Sequence, residues 1–256
     1  MTLIRKAVGR ALGGLFAPVT LLGGVLRRAR LFHPDGVVYR AEVRPLATEG
    51  PLAELAQRLA GPALVRLSGA WWRWRRGHGE LPDVLGVAVR FRDTRDVTPD
   101  AAPADQDLLF ATFRTIWQLP IAPLTTDVHD FLANEYHAVL PFDVAGSGRV
   151  KWRLVPPRTP ASGEDRRERL ERAVAAGLAN LRLEVRPIRL GARWVAVAEI
   201  ALRERVLLDE QALRFTPFRT GRGIVPSGLI QAARAATYMG SQVGRSIAKG
   251  PASRQP

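Results

Sequence analysis

A chain of 256 residues that is 46% hydrophobic has enough apolar surface for one sizeable core, and its 23 glycines and 19 prolines are dispersed rather than clustered. The absence of cysteine excludes a disulfide framework, a thiolate nucleophile, an iron–sulfur cluster and a cysteine zinc site, and four histidines (His33, His78, His129, His137) are too few to favour a multi-histidine metal centre. The net charge of +14, from 38 basic and 24 acidic residues, would suit nucleic acid or anionic lipid. The arginines, however, are spread along strand-like segments such as Arg149–Arg153 instead of forming one block, which does not favour nucleic acid.

At the start of the chain, Met1–Arg10 carries three basic residues and Ala11–Leu26 is an uncharged run of 16 residues containing four glycines and Pro18. The run is shorter than the roughly 20 residues of a membrane span and shows no small-x-small cleavage site before Arg27-Arg28. Residues 1–28 are expected to form a helical arm, placed on the domain or at a membrane surface, and residues 29–256 a single domain. The lack of disulfides fits a cytoplasmic location, with peripheral membrane contact left open through the arm.

Val37–Arg44 is rich in β-formers and is predicted to be a strand, and Pro51–Leu59 repeats Leu52, Leu55 and Leu59 at helical spacing. Strands are predicted again at Ala63–Ser68, Val84–Arg92, Leu108–Arg114, Val150–Val155, Leu181–Ile188 and Trp194–Arg203. Trp71-Trp72-Arg73-Trp74 reads as a packed loop, and Arg92–Asp107 as a polar one. Between Leu119 and Phe142 the prolines and Thr125–Phe131 suggest a turn and a short helix, flanked by His129 and His137 as surface or capping residues. Ser162–Asp165 opens an amphipathic helix with Leu170, Val174 and Leu178 on its apolar side. No internal repeat is evident. Antiparallel strands without βαβ alternation imply an α+β chain whose antiparallel β-barrel, of about eight strands with flanking helices, removes the exposed edges.

Ser227–Ala248 carries the chain's most chemical pattern. Ser227 after Pro226 is a good helix start, and at about 100° per residue Arg234, Tyr238, Ser241 and Arg245 fall on one stripe. A guanidinium one turn from a phenol stabilises the phenolate, a hard anionic ligand suited to ferric iron. The same pattern also makes an ordinary solvated face, and the stripe alone does not decide between the two.

Four motifs bear on that choice. Arg30-Leu31-Phe32-His33-Pro34-Asp35-Gly36 resembles the Arg-x-x-His-x-x-Gly distal motif of the catalase family, and Val65-Arg66-Leu67-Ser68 resembles its Val-Arg-Phe-Ser. Asp83–Phe91 is similar to its Asp-x-x-Gly-Phe-Ala-Val-Lys-Phe strand, and Arg234-x-x-x-Tyr238 with Arg245 is similar to its proximal motif. The four occur in the family's order and cover roughly residues 30–92 and 227–245; the middle matches only in barrel character. The chain looks like a small catalase-related heme protein.

The resemblance implies heme b with Tyr238 as the axial iron ligand, supported by Arg234 and Arg245. It implies His33 as the distal general acid–base, Ser68 orienting its imidazole, and Arg30, Arg66 and Arg245 pairing with the propionates. The family's distal asparagine has no counterpart, since Asp107–Thr112 offers Ala111 or Thr112 at that place. The implied activity is a heme-dependent peroxidase or hydroperoxide-converting oxidoreductase acting on a peroxide with a separate reductant; homo-oligomerisation stays open. Two alternatives remain: a catalase fold in which heme is lost or serves only sensing or carriage, and a basic barrel that binds nucleic acid or membrane.

Overall fold

The computed structural model describes residues 35–70, 81–157, 162–209 and 212–227. Alternation builds its strands. In β1 (Asp35–Pro45), Val37, Tyr39, Ala41 and Val43 enter the core, while Gly36, Val38, Arg40 and Glu42 take the opposite face. Proceeding antiparallel from β1 are β2 (Gly61–Gly69), β3 (Leu85–Phe91), β4 (Gln106–Ala111) and β5 (Tyr136–His137). After β6 (Phe142–Val144), β7 (Gly148–Val155) pairs with β5, then β8 (Asn180–Pro187) with β7 and β9 (Val195–Val206) with β8. Strand β9 returns to β1 and closes an antiparallel barrel of 8 strands, while β6 and β10 (Ile224–Pro226) extend beside β7. The expectation of an antiparallel barrel with outlying helices holds.

The barrel interior is filled by the inward set, including Tyr39, Phe91, Leu108, Tyr136 and Trp152, all essentially inaccessible. Helix α1 (Gly50–Leu59), with Pro51 in its first turn, lays Leu55, Ala56 and Leu59 on this core against β1 and β9. After the four-residue helix α2 (Ala122–Thr125) comes α3 (Arg166–Ala175), which is capped by the Asp165 carboxylate accepting from the backbone N–H groups of Arg167 and Glu168. Leu170 and Ala173 face inward, but the helix stops before Leu178, because Gly177 turns the chain at φ +70° and leaves Leu178 exposed. The expected third turn of that apolar stripe is therefore absent.

The region 116–144 differs most from expectation. It holds 3-10 turns at Ile116–Gln118 and Phe131–Ala133, helix α2, and the short strands β5 and β6. His129 is exposed, as predicted, but His137 is a buried strand residue rather than a surface or capping one. A strand of two residues offers no period from which to place it. The tryptophan cluster 71–74, the arm 1–28 and the helix read from Ser227 onward lie outside the described residues, Ser227 itself excepted.

Candidate functional site

Directly paired residues in a ladder share a face, so the pairings define rows across the outside of the barrel. One row runs Gly36, Ser68, Gly86, Ala111, His137. The next runs Val38, Arg66, Ala88, Leu109. Across β1 to β4 the first row presents nothing larger than a serine hydroxymethyl, over a width of about 14 Å at the usual strand spacing. The result is a shallow shelf. Ser68 and Gly86 in the middle of the row are buried and Gly36 and Ala111 at its ends are half-buried, so the shelf is recessed.

One charged side chain crosses this shelf. Arg66 is buried, and its guanidinium lies against Gly36: a Cβ added to Gly36 would come within 2.7 Å of Arg66 Cζ, Arg66 Nη2 and the Leu67 carbonyl oxygen. Only a residue without a side chain leaves that space. Gly36 and Arg66, from the first and second motifs of the resemblance, are thus packed together, with Ser68 and Gly86 beside them. Ser68 is buried between Gly36 and Gly86.

The two residues at the place where the resemblance implied an asparagine are set apart by the sheet. Ala111 stands on the row beside Gly86, whereas the Thr112 hydroxyl is engaged elsewhere. It lies 2.7 Å from the Thr126 hydroxyl and accepts from the Leu85 N–H at 3.3 Å. The outer edge of the shelf is therefore a methyl group.

Beyond Ala111 the row becomes polar. His137 lies next, then Arg153, whose Nε donates to Glu184 at 2.7 Å. His137 Nε2 is 3.7 Å from Glu135 Oε2, which also receives Arg153 Nη1 at 3.3 Å. Burial, followed by the positive fields of Arg114, Arg153, Lys151 and Arg186, holds the His137 imidazole down at about 4. It is neutral at physiological pH. The sequence reading made His137 a surface or capping residue; the structure pairs it with Ala111 on the shelf row, a placement that a two-residue strand does not signal.

On the third row Arg90 and Asp107 form a fully buried ion pair, Nε to Oδ1 at 2.9 Å. Asp107 also accepts from the Thr216 N–H at 3.0 Å and from Arg219, while Phe215 lies 4.9 Å from the Arg90 guanidinium. This network fastens the segment after residue 211 to the outside of β3 and β4. It positions the stretch leading to Ser227 without itself adjoining the shelf.

Of the residues predicted to act, Arg66 and Ser68 are described and adjacent in the sheet. Arg30, His33, Arg234, Tyr238 and Arg245 lie outside the described residues. Among the described residues no three His, Asp or Glu side chains cluster as a metal site, and no helix is long and apolar enough to cross a membrane.

Ser68, Gly86 and Ala111 present little bulk to a planar ring beside the Arg66 guanidinium that covers Gly36, and a guanidinium there carries the charge that pairs with a carboxylate, features that suit a flat, anionic prosthetic group. No family model matches the chain, and no curated protein matches it in sequence. Among solved structures it is similar to one described as the structure of a bacterial catalase, with a TM-score of 0.59 and 15% identity, over 85% of this chain and 57% of that one. The chain thus spans little more than half the length of that catalase, and the likeness shows a distant catalase-like fold: a closed antiparallel barrel with flanking helices.

Proposed function

We propose that the chain is a heme-dependent peroxidase or hydroperoxide-converting enzyme. The observation that carries this reading is the meeting of Gly36, Arg66, Ser68 and Gly86, from three separate motifs, on one small-residue shelf with a buried guanidinium. Heme b, when bound there, would supply a ferric centre that binds a peroxide oxygen and gives up the two electrons that O–O cleavage takes, which the separate reductant then restores. Tyr238 would provide the anionic donor, kept ionised by Arg234 and steadied by Arg245. Arg66 would pair with a propionate, together with Arg30 and Arg245.

On the shelf side, His33 would take the proton from the nearer oxygen of a hydroperoxide and deliver it to the leaving oxygen. Ser68 would orient the imidazole for both transfers. Ala111 offers no hydrogen bond to a peroxide, which disfavours rapid dismutation of hydrogen peroxide and favours a bulkier hydroperoxide reduced by an external donor. The test is turnover by heme-loaded protein on hydrogen peroxide and on an organic hydroperoxide. The reading expects higher turnover on the organic substrate, and a His33→Ala variant that keeps its heme but slows by about 10²- to 10⁴-fold. Heme-loaded protein without turnover on either substrate supports the alternative role in sensing or carriage.

A further inference from the structure

Large apolar side chains are exposed in two places that the barrel does not explain. In the turn after β4, Trp117 is 86% exposed, Leu124 77% and Ile121 55%, with Ile116 and Leu119 also at the surface. The turn is built rather than loose. The Gln118 side chain accepts from the Arg114 and Thr115 N–H groups at 2.8 and 3.2 Å, and the Thr126 hydroxyl donates to the Ala122 carbonyl at 2.8 Å. Its inner side is seated, since Ala122 is buried against Ala70 and Val84. The second place is the β8–β9 hairpin tip, where Leu190 is fully exposed beside half-exposed Ile188 and Val195, and Gly191 makes the turn at φ +73°.

Neither stretch contains an acidic residue. No acidic residue occurs between Arg114 and Asp127 or between Glu184 and Glu199, whereas Arg186, Arg189 and Arg193 all belong to the hairpin. A chain of contacts joins the two sites: Arg114 Nη2 to Glu135 at 3.8 Å, Glu135 to Arg153 at 3.3 Å, and the Arg153 guanidinium 4.7 Å from the Trp194 ring. Arg186 lies 4.8 Å from the same ring. Protruding aliphatic and indole side chains backed by arginine match the interface of an anionic bilayer, where tryptophan sits at headgroup level and each basic residue near the surface strengthens binding about five-fold. The whole chain carries a charge of +14, which adds to the attraction of an anionic surface.

We propose that the Ile116–Leu124 turn and the Ile188–Trp194 hairpin tip together dock the protein on a lipid bilayer bearing anionic headgroups. This stands independently of whether the chain holds heme. The test is sedimentation of the full chain with phosphatidylcholine vesicles with and without phosphatidylserine. Binding is expected only to the anionic vesicles and should weaken at high salt. The double variant Trp117→Ser, Leu124→Ser should lower affinity by about ten-fold or more, and Arg189→Ala and Arg193→Ala by about five-fold each, with unchanged thermal unfolding.

Because the chain has no cysteine, a fluorophore attached through Leu124→Cys reports on the turn alone. Its emission should shift to the blue on anionic vesicles, while a label through Ala175→Cys on the exposed side of α3 should not shift. Failure of the full chain to bind anionic vesicles would overturn the proposal. So would unchanged binding by the Trp117/Leu124 variant, which would move the contact to residues 1–34. Conversion of a dimer to a monomer by that variant, without an effect on vesicle binding, would instead assign the patch to a second copy.

Discussion

The guanidinium of Arg66 occupies the space that a side chain at position 36 would need: a Cβ on Gly36 would sit 2.7 Å from Arg66 Cζ and equally close to the Leu67 carbonyl oxygen. The second contact is with backbone, so the neighbour cannot simply swing away. Gly36→Ala is expected to destabilise the fold by about 1–3 kcal/mol, the usual scale for overpacking a filled site, and to displace Arg66. Urea unfolding of the variant measures the cost. A stability unchanged from wild type would show that Arg66 does not hold this position.

Two ion pairs should respond very differently to loss of one partner. Asp107 is wholly buried and accepts from Arg90, Arg219 and the Thr216 N–H, so Asp107→Asn leaves a buried guanidinium without its counter-charge. A cost of about 3–5 kcal/mol is expected. By contrast Arg40 and Glu204, joined at 2.8 Å with both side chains substantially exposed, should give about 0–1 kcal/mol when Arg40 is replaced by alanine. Denaturant midpoints of the two variants check the ranking.

His137 should leave a signature in the pH dependence of stability. Burial first, then the surrounding arginines, lowers its folded-state value from 6.5 to about 4. The unfolded chain therefore takes up a proton at a pH where the native chain does not. The stabilisation from neutral His137 is fully present above about 6.5 and is lost as pH falls towards about 4, on the order of 3 kcal/mol in all. In His137→Gln this part of the slope should vanish, which unfolding titrations between those two pH values would reveal.

The long strands were legible because they are rich in β-formers: Val37–Arg44 marks β1 before any pairing is known, although Val38 blurs the alternation of its inward residues Val37, Tyr39, Ala41 and Val43. The buried helix faces were legible from apolar residues recurring every three or four positions, up to the point where Gly177 ends α3. Register was not legible. Gly36 meets Ser68, and Ser68 meets Gly86, only through ladder pairings between residues 32 and 18 positions apart, which no local pattern specifies. The motifs named these residues but did not say that they touch, nor that Arg66 rests on Gly36. His137 was misplaced because β5 is two residues long, and the exposed apolar turn at 116–124 looked like an ordinary proline-marked connection.

The central claim, that the shelf serves a heme whose iron is held by Tyr238, is tested most directly by one absorbance comparison. The full chain and Tyr238→Phe are each expressed with a heme precursor, purified, and their spectra recorded. The account predicts a Soret band in the wild type, and its loss or a clear shift in Tyr238→Phe, because a phenyl ring cannot coordinate iron. A wild type without heme affinity, or an unchanged spectrum in the variant, would contradict it and return the tyrosine–arginine stripe to a structural or surface role.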